Sequence, residues 1–217
     1  MASDAEKRRP RIRVLAGVNG AGKSSVVGAA LRARGQPFYN PDEVAERIHR
    51  GRTELADEAN SIAWNQGRAF LERAIEKRID FTFESTLGGK TIVNLLRKAI
   101  AQGFDVDIIF VGLDSPELHI ERMKARVAAG GHAIDEQLIR ERFDRSRQNL
   151  IDLLPGLAEL KVYDNSMPAR PRPHPVLILH MRNGWIEAEC ESSIPPDWAK
   201  WIIVAARASS ERRAGGP

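Results

Sequence analysis

Apolar residues along this chain fall into two rhythms. Ile12 to Ala16 and Val106 to Val111 are short unbroken runs that read as strands covered on both faces, and between them an apolar residue recurs every third or fourth position, as in helices with one buried stripe. The chain opens with a charged leader over residues 1–10, then the strand Ile12–Ala16, then a helix from Lys23 to Ala33 that stops near Gly35. Asn40-Pro41-Asp42-Glu43 has the chemistry of a helix start, with an N-cap amide, a proline at the first helical position and two acids at the positive end of the dipole. That helix should reach His49. Thr53 then caps a longer one through Lys77, with Leu55, Ala59, Ile62, Ala63, Phe70 and Ala74 as its apolar stripe.

Asp80 to Glu84 reads as a second strand, followed by a turn at Gly88-Gly89 and an amphipathic helix carrying Ile92, Leu95, Leu96 and Ala99. After the third strand, Val106–Val111, Ser115-Pro116-Glu117 starts a helix that runs through Arg126 to a break at Gly130-Gly131. Asp135 to about Leu153 is helical again, and Leu160–Tyr163 makes a fourth strand. Strands that alternate with helices imply right-handed crossovers and a mostly parallel sheet, an α/β fold of three layers.

The pattern changes after residue 167. Four prolines between Pro168 and Pro175 suggest a stiff connector, and Val176 to Cys190 reads as a hairpin turning at Asn183-Gly184, the dipeptide favoured in type I′ turns. Ser193 would cap a last short helix that packs Trp198 and Trp201 on the body, leaving 208–217 as a disordered tail. The division expected is therefore a leader at 1–10, a core at 11–167 with a helical lid at about 119–147, an extension at 168–207 and the tail.

Composition narrows the class without naming it. With 42% hydrophobic and 29% charged residues in 217, the chain is globular, and no apolar run reaches the roughly 20 residues that span a bilayer. A single Cys190 excludes an internal disulfide and fits a cytoplasmic home. The net charge of +4 sits largely in Lys7-Arg8-Arg9 and Arg212-Arg213, which lack interleaved aromatics, so no nucleic-acid surface is expected.

The chemistry is concentrated in Gly17-Val18-Asn19-Gly20-Ala21-Gly22-Lys23-Ser24, a complete P-loop between a strand and a helix. Glycines let backbone N–H groups converge on phosphate oxygens, Lys23 neutralises the β- and γ-phosphates, and the Ser24 hydroxyl is placed to ligate Mg²⁺. Asn19, Ala21 and Ser25 complete the expected nucleotide site for ATP or GTP. An Asn-Lys-x-Asp guanine reader and an ABC-type Ser-Gly-Gly signature are both missing from the sequence, which turns the reading toward a kinase. Asp42 would then face the cleft as base or orienter, Glu84 would emerge at the carboxyl edge of the sheet, and the arginine-dense stretch Arg122 to Arg147 would close as a lid. His132 lies in that lid as a contact or cap.

Taken together, these residues resemble the short branch of the zeta toxin family of P-loop kinases. The likeness rests on the cradle from Ala16 to Ser24, on Asn40-Pro41-Asp42 and on Phe83-Glu84-Ser85-Thr86-Leu87. Further support lies in Arg126-Val-Ala-Ala-Gly-Gly-His132 through Arg142-Phe143 and in Tyr163-Asp164-Asn165-Ser166. It implies transfer of the γ-phosphoryl group to a hydroxyl of UDP-N-acetylglucosamine, with Asp42 as base, Glu84 and Thr86 at the sugar nucleotide, and Arg126 and Arg142 meeting the transferring group. It also implies an antitoxin partner, since some members are restrained by one. Ser85 stands where the family often has Gly, and the chain is shorter than the larger toxins. Kinases for another hydroxyl acceptor, such as a nucleoside, sugar or antibiotic, and a nucleotide-dependent binding module are the competing readings.

Overall fold

A computed structural model describes residues 8–131, 133–167, 175–190 and 195–215. The first four strands, β1 (Arg11–Ala16), β2 (Phe81–Ser85), β3 (Asp105–Gly112) and β4 (Glu159–Asp164), pair in parallel in the order β2-β1-β3-β4. β5 (Val176–Arg182) and β6 (Trp185–Glu189) then add antiparallel to the β4 edge. The expected hairpin is thus a continuation of the central sheet. Its turn holds Asn183 at φ 49° and Gly184 at φ 82°, the two positive angles that a type I′ turn requires.

Helices cover both faces of the sheet. Lys23–Gly28 winds as a π-helix into α1 (Ala29–Ala33), α2 spans Pro41–His49, α3 Ala56–Lys77 and α4 Lys90–Ala101. Then come α5 (Pro116–Ala128), α6 (Glu136–Leu153) and α7 (Lys200–Ala214). Three of the starts are capped as their sequences suggest. Asn40 Oδ1 accepts from the Asp42 and Glu43 amides, Ser115 Oγ from Leu118, and Asp135 Oδ1 from Gln137 and Leu138. The core runs through β1, β3 and β4, where Ile12, Val14, Ile108, Phe110, Leu160 and Val162 are fully buried.

Three expectations need correction. The buried stripe of α3 is Ala56, Ala59, Ala63, Gly67, Leu71, Ala74 and Ile75, while Ile62 and Phe70 are exposed. Small residues win that face because Tyr39 lies against it: a Cβ on Gly67 would come within 2.7 Å of the tyrosine ring. Residues 208–214, expected to be disordered, continue α7, whose buried Ile202, Ile203, Ala206 and Ser209 follow the helical period. Trp198 is buried, yet Trp201 is 72% exposed. The buried line of α7 runs through Ile202, Ile203, Ala206 and Ser209, and Trp201 falls outside it. The proposed connector, the Ser193 cap and His132 fall outside the described residues, as do 1–7 of the leader. Arg8 of the leader pairs with Asp80, and Pro10 accepts a hydrogen bond from the Asp105 amide.

Candidate active site

At the carboxyl end of β1 the chain turns through three left-handed or related glycines, Gly17 at φ 132°, Gly20 at φ 83° and Gly22 at φ 84°. Space demands glycine as much as the angles do. A Cβ on Gly17 would lie 2.1 Å from the Val111 carbonyl oxygen, and one on Gly20 2.6 Å from that of His119. The loop ends at the helix that begins with Lys23, where unpaired amides and the helix dipole favour a bound anion.

Above the loop opens a cleft of about 1000 Å³. One wall is α2 and the start of α3, contributing Asp42, Glu46, His49 and Asn60; the other is α5 with Leu118, Arg122 and Arg126, the Gly130-Gly131 break and the segment Asn165–Met167. Lys23 and Glu84 close the floor. Both are buried, 3.3 Å apart, and Glu84 also accepts a 2.8 Å hydrogen bond from Ser24 Oγ. Lys23 donates besides to the Val18 carbonyl at 3.3 Å. Asn40 Nδ2 donates to Ser24 Oγ at 3.3 Å, which ties the head of α2 to the cradle.

The structure sorts the arginines that sequence could not. Arg126 reaches from α5 across the cleft to Asp42, Nη1 to Oδ2, at 3.4 Å. Arg142 donates to Asn19 Oδ1 at 2.8 Å; burial lowers its pKa while the Asp42 carboxylate raises it, and a guanidinium so placed stays charged at neutral pH. Arg122 lines the cleft and donates to the Ser166 carbonyl at 3.4 Å. Arg140 is paired with Glu117, Arg145 with Glu141 and Arg147 with Asp144, so these three are engaged within or between their own helices. Thr86 lies outside the cleft, its Oγ1 accepting from the Gly88 amide, and Ser25 turns its hydroxyl onto the Gly22 carbonyl.

Two residues of this neighbourhood have no signal in the motif. His119, in the first turn of α5, is 1% exposed and lies 2.8 Å from the Asn19 carbonyl through Nδ1. Asn165 Nδ2 donates to the Ala21 carbonyl at 2.9 Å, so the segment after β4 holds the cradle from the side. Asn165 stood in the sequence as part of the Tyr163-Asp164-Asn165-Ser166 likeness, without a role assigned to it; for His119 there was no signal.

Hard oxygen donors suit magnesium, and here Ser24 Oγ and a Glu84 carboxylate are adjacent. Among the described residues no three His, Cys, Asp or Glu side chains converge on one point. No described helix is long and apolar enough to cross a membrane.

A cradle of this form on a 2-1-3-4 parallel sheet, facing an acid and arginines across one cleft, defines a P-loop kinase. The zeta toxin family model matches residues 2–167, and the chain belongs to that family. It is accordingly an ATP-dependent small-molecule kinase, acting by nucleotide-dependent phosphotransfer. An uncharacterized protein of Haemophilus influenzae is 33% identical over 127 residues, 58% of this chain and 88% of its own length. In fold the chain is similar to the AvrRxo1-ORF1:-ORF2 complex crystallised with ATP, with a TM-score of 0.62 at 14% identity over 96% of this chain and 78% of that one. It is also similar to the PezAT chromosomal toxin-antitoxin system of Streptococcus pneumoniae, with a TM-score of 0.54 at 11% identity over 95% and 88%.

Proposed function

We propose that the enzyme phosphorylates a hydroxyl of a small molecule seated against α2, with Asp42 as the general base. The observation that carries this is placement: Asp42 heads α2 in the same cleft as Lys23 and Ser24, 3.4 Å from Arg126 on the opposite wall. The cradle of residues 17–24 binds the triphosphate. Lys23 would exchange Glu84 for β- and γ-oxygens, and Ser24, with Glu84 behind it, would hold Mg²⁺. When bound, that ion neutralises the phosphate charge. The acceptor O–H gives its proton to the Asp42 carboxylate as the new O–P bond forms, the bond from γ-phosphorus to the bridging oxygen breaks, and ADP leaves. Arg126, released from Asp42, and Arg142 stabilise the charge on the equatorial oxygens.

Family likeness names UDP-N-acetylglucosamine as the acceptor, and toxin-type activity and an antitoxin go with it. One observation favours a second acceptor class. The cleft face of α2 presents Asp42, Glu46 and His49, with Asn60 of α3 on the same wall, and no lysine or arginine of that wall lines the cleft. Acids of this kind suit a neutral or amine-bearing polyol better than a diphosphate. Incubating the protein with Mg·ATP and each acceptor, and following ADP and the mass of the product, separates the two. Asp42→Ala should lower turnover by about 10²–10⁴-fold with either acceptor while ATP binding changes little. Undiminished turnover in that variant removes Asp42 from the reaction.

A further inference from the structure

We propose that His119 is a positioning residue of the reaction: through Asn19 it fixes the seat from which Arg142 reaches the transferring phosphoryl group. The inference rests on the reading of Arg142 given above. A carbonyl oxygen can only accept, so the 2.8 Å contact between His119 Nδ1 and the Asn19 carbonyl makes the ring nitrogen the donor and fixes the tautomer. Burial holds the ring neutral, its pKa pushed down to about 4, so this donor is constant through the neutral range. The partner is not an arbitrary backbone group. Asn19 is the one cradle residue whose side chain receives Arg142, Nη1 to Oδ1 at 2.8 Å, and it is itself buried.

Two further contacts close the arrangement. Phe143, the residue after Arg142, sets its ring edge-on to His119 with centroids 5.8 Å apart. The His119 carbonyl occupies the place that a Cβ on Gly20 would need. The imidazole is therefore held between the Asn19 carbonyl and the helix that delivers the arginine, while the backbone of the same residue packs against Gly20. Deleting it orphans the Asn19 carbonyl and frees that peptide to turn, which moves the Asn19 amide away from the guanidinium. A buried histidine that merely fills the core would satisfy any nearby acceptor and would leave Arg142 indifferent to its loss.

The test uses the full-length protein and needs no acceptor. Calorimetry measures how much more tightly Mg·ADP binds when fluoroaluminate, which mimics the transferring phosphoryl group, is present. In the wild type that gain should be large, and Arg142→Ala should remove most of it. His119→Ala should cut the gain by about 10–100-fold, the scale expected when a catalytic group is displaced by about an ångström. Affinity for Mg·ADP alone should stay within about threefold, because on that reading the arginine serves the transferring group rather than the diphosphate. His119→Asn, whose amide can donate from nearly the same place as Nδ1, should restore most of the gain. In the Arg142→Ala background His119→Ala should cost nothing more, since the two act as one unit. Equal losses with and without Arg142, or an asparagine no better than alanine, would overturn the proposal while leaving Arg142 in the mechanism. A wild type with no gain, or an Arg142→Ala variant that keeps it, would overturn the reading of Arg142 and this inference together.

Discussion

The two ends of the sheet each carry a network of charges, and the networks are built to opposite ends. At the amino end, Arg11 and Arg13 on β1 face Asp105 and Asp107 on β3, and Glu159 on β4 collects Lys161, His180 and Arg182. Strand register makes these pairs: Arg11 lies opposite Asp105, Arg13 opposite Asp107 and Glu159 opposite Arg182. At the carboxyl end the pairs Lys23–Glu84 and Arg126–Asp42 span separate elements and border an open cleft. The amino end satisfies its charges with neighbours that never leave. The carboxyl end pairs each cation with an acid that the proposed reaction needs elsewhere, so its contacts are those a ligand would exchange.

The largest separation of the two ends should come from Lys23→Met. Turnover should fall by about 10²–10³-fold or more, the cost of losing a donor aimed at transition-state charge. The same change leaves Glu84 buried without its cation and should lower stability by about 3 kcal/mol, measured by denaturant unfolding. A variant with ordinary turnover would show that the cradle does not work through its lysine.

Acid should undo the two ends in different windows. His119 has a folded pKa of about 4 against the ordinary histidine value of 6.5, so the unfolded chain takes up the proton first. Its contribution is full above pH 6.5 and is lost as pH falls toward 4, by about 3 kcal/mol in all. Desolvation outweighs the bond to Asn19 there, and the charges of Lys23, Arg122 and Arg147 add to it. Burial works against Glu159 as well, but its hydrogen bonds to Arg182, His180 and Lys161 prevail and bring it down to about 2 from 4.5. Its stabilisation is therefore complete above pH 4.5 and lost toward 2, by about 1–2 kcal/mol once solvent screening is allowed for. Unfolding free energies measured from pH 7.5 to 2.5 should show both slopes, and His119→Asn should abolish the upper one alone. Asp107 runs against this pattern. Burial pushes its pKa up in spite of both arginines, and its Oδ1 has no hydrogen-bond partner among the described residues.

Arg8→Ala should have the smallest effect, under about 1 kcal/mol and without change in turnover, since its pair with Asp80 lies in solvent. A larger loss would mean that the leader is part of the fold rather than attached to it.

Sequence made the cradle legible because each of its positions answers a separate chemical demand, and the same holds for the Asn40 cap and the Asn183-Gly184 turn. What it could not show was which side of an otherwise helical stretch faces inward. Ile62 and Phe70 look like core by apolarity, but Tyr39 claims the Gly67 face. Arginine assignments were unreadable for a similar reason. Arg140 and Arg142 differ by two positions on one helix, about 200° apart, and only the packed structure says that one meets Glu117 and the other Asn19. Residues 208–214, expected as tail, stay helical because Ala, Arg and Glu are good helix formers and Ser209 continues the buried line of Ile202 and Ala206.

Gly112 ends β3 with no room for a side chain, because a Cβ there would fall 2.4 Å from the ring of Trp198. That indole also donates to Asp164 at 3.3 Å, and Arg147 of α6 donates to its backbone carbonyl. The family match stops at residue 167, yet a residue 31 places further on plugs the strand that runs into the catalytic half. Excising everything past the match would therefore uncork the domain rather than trim an ornament.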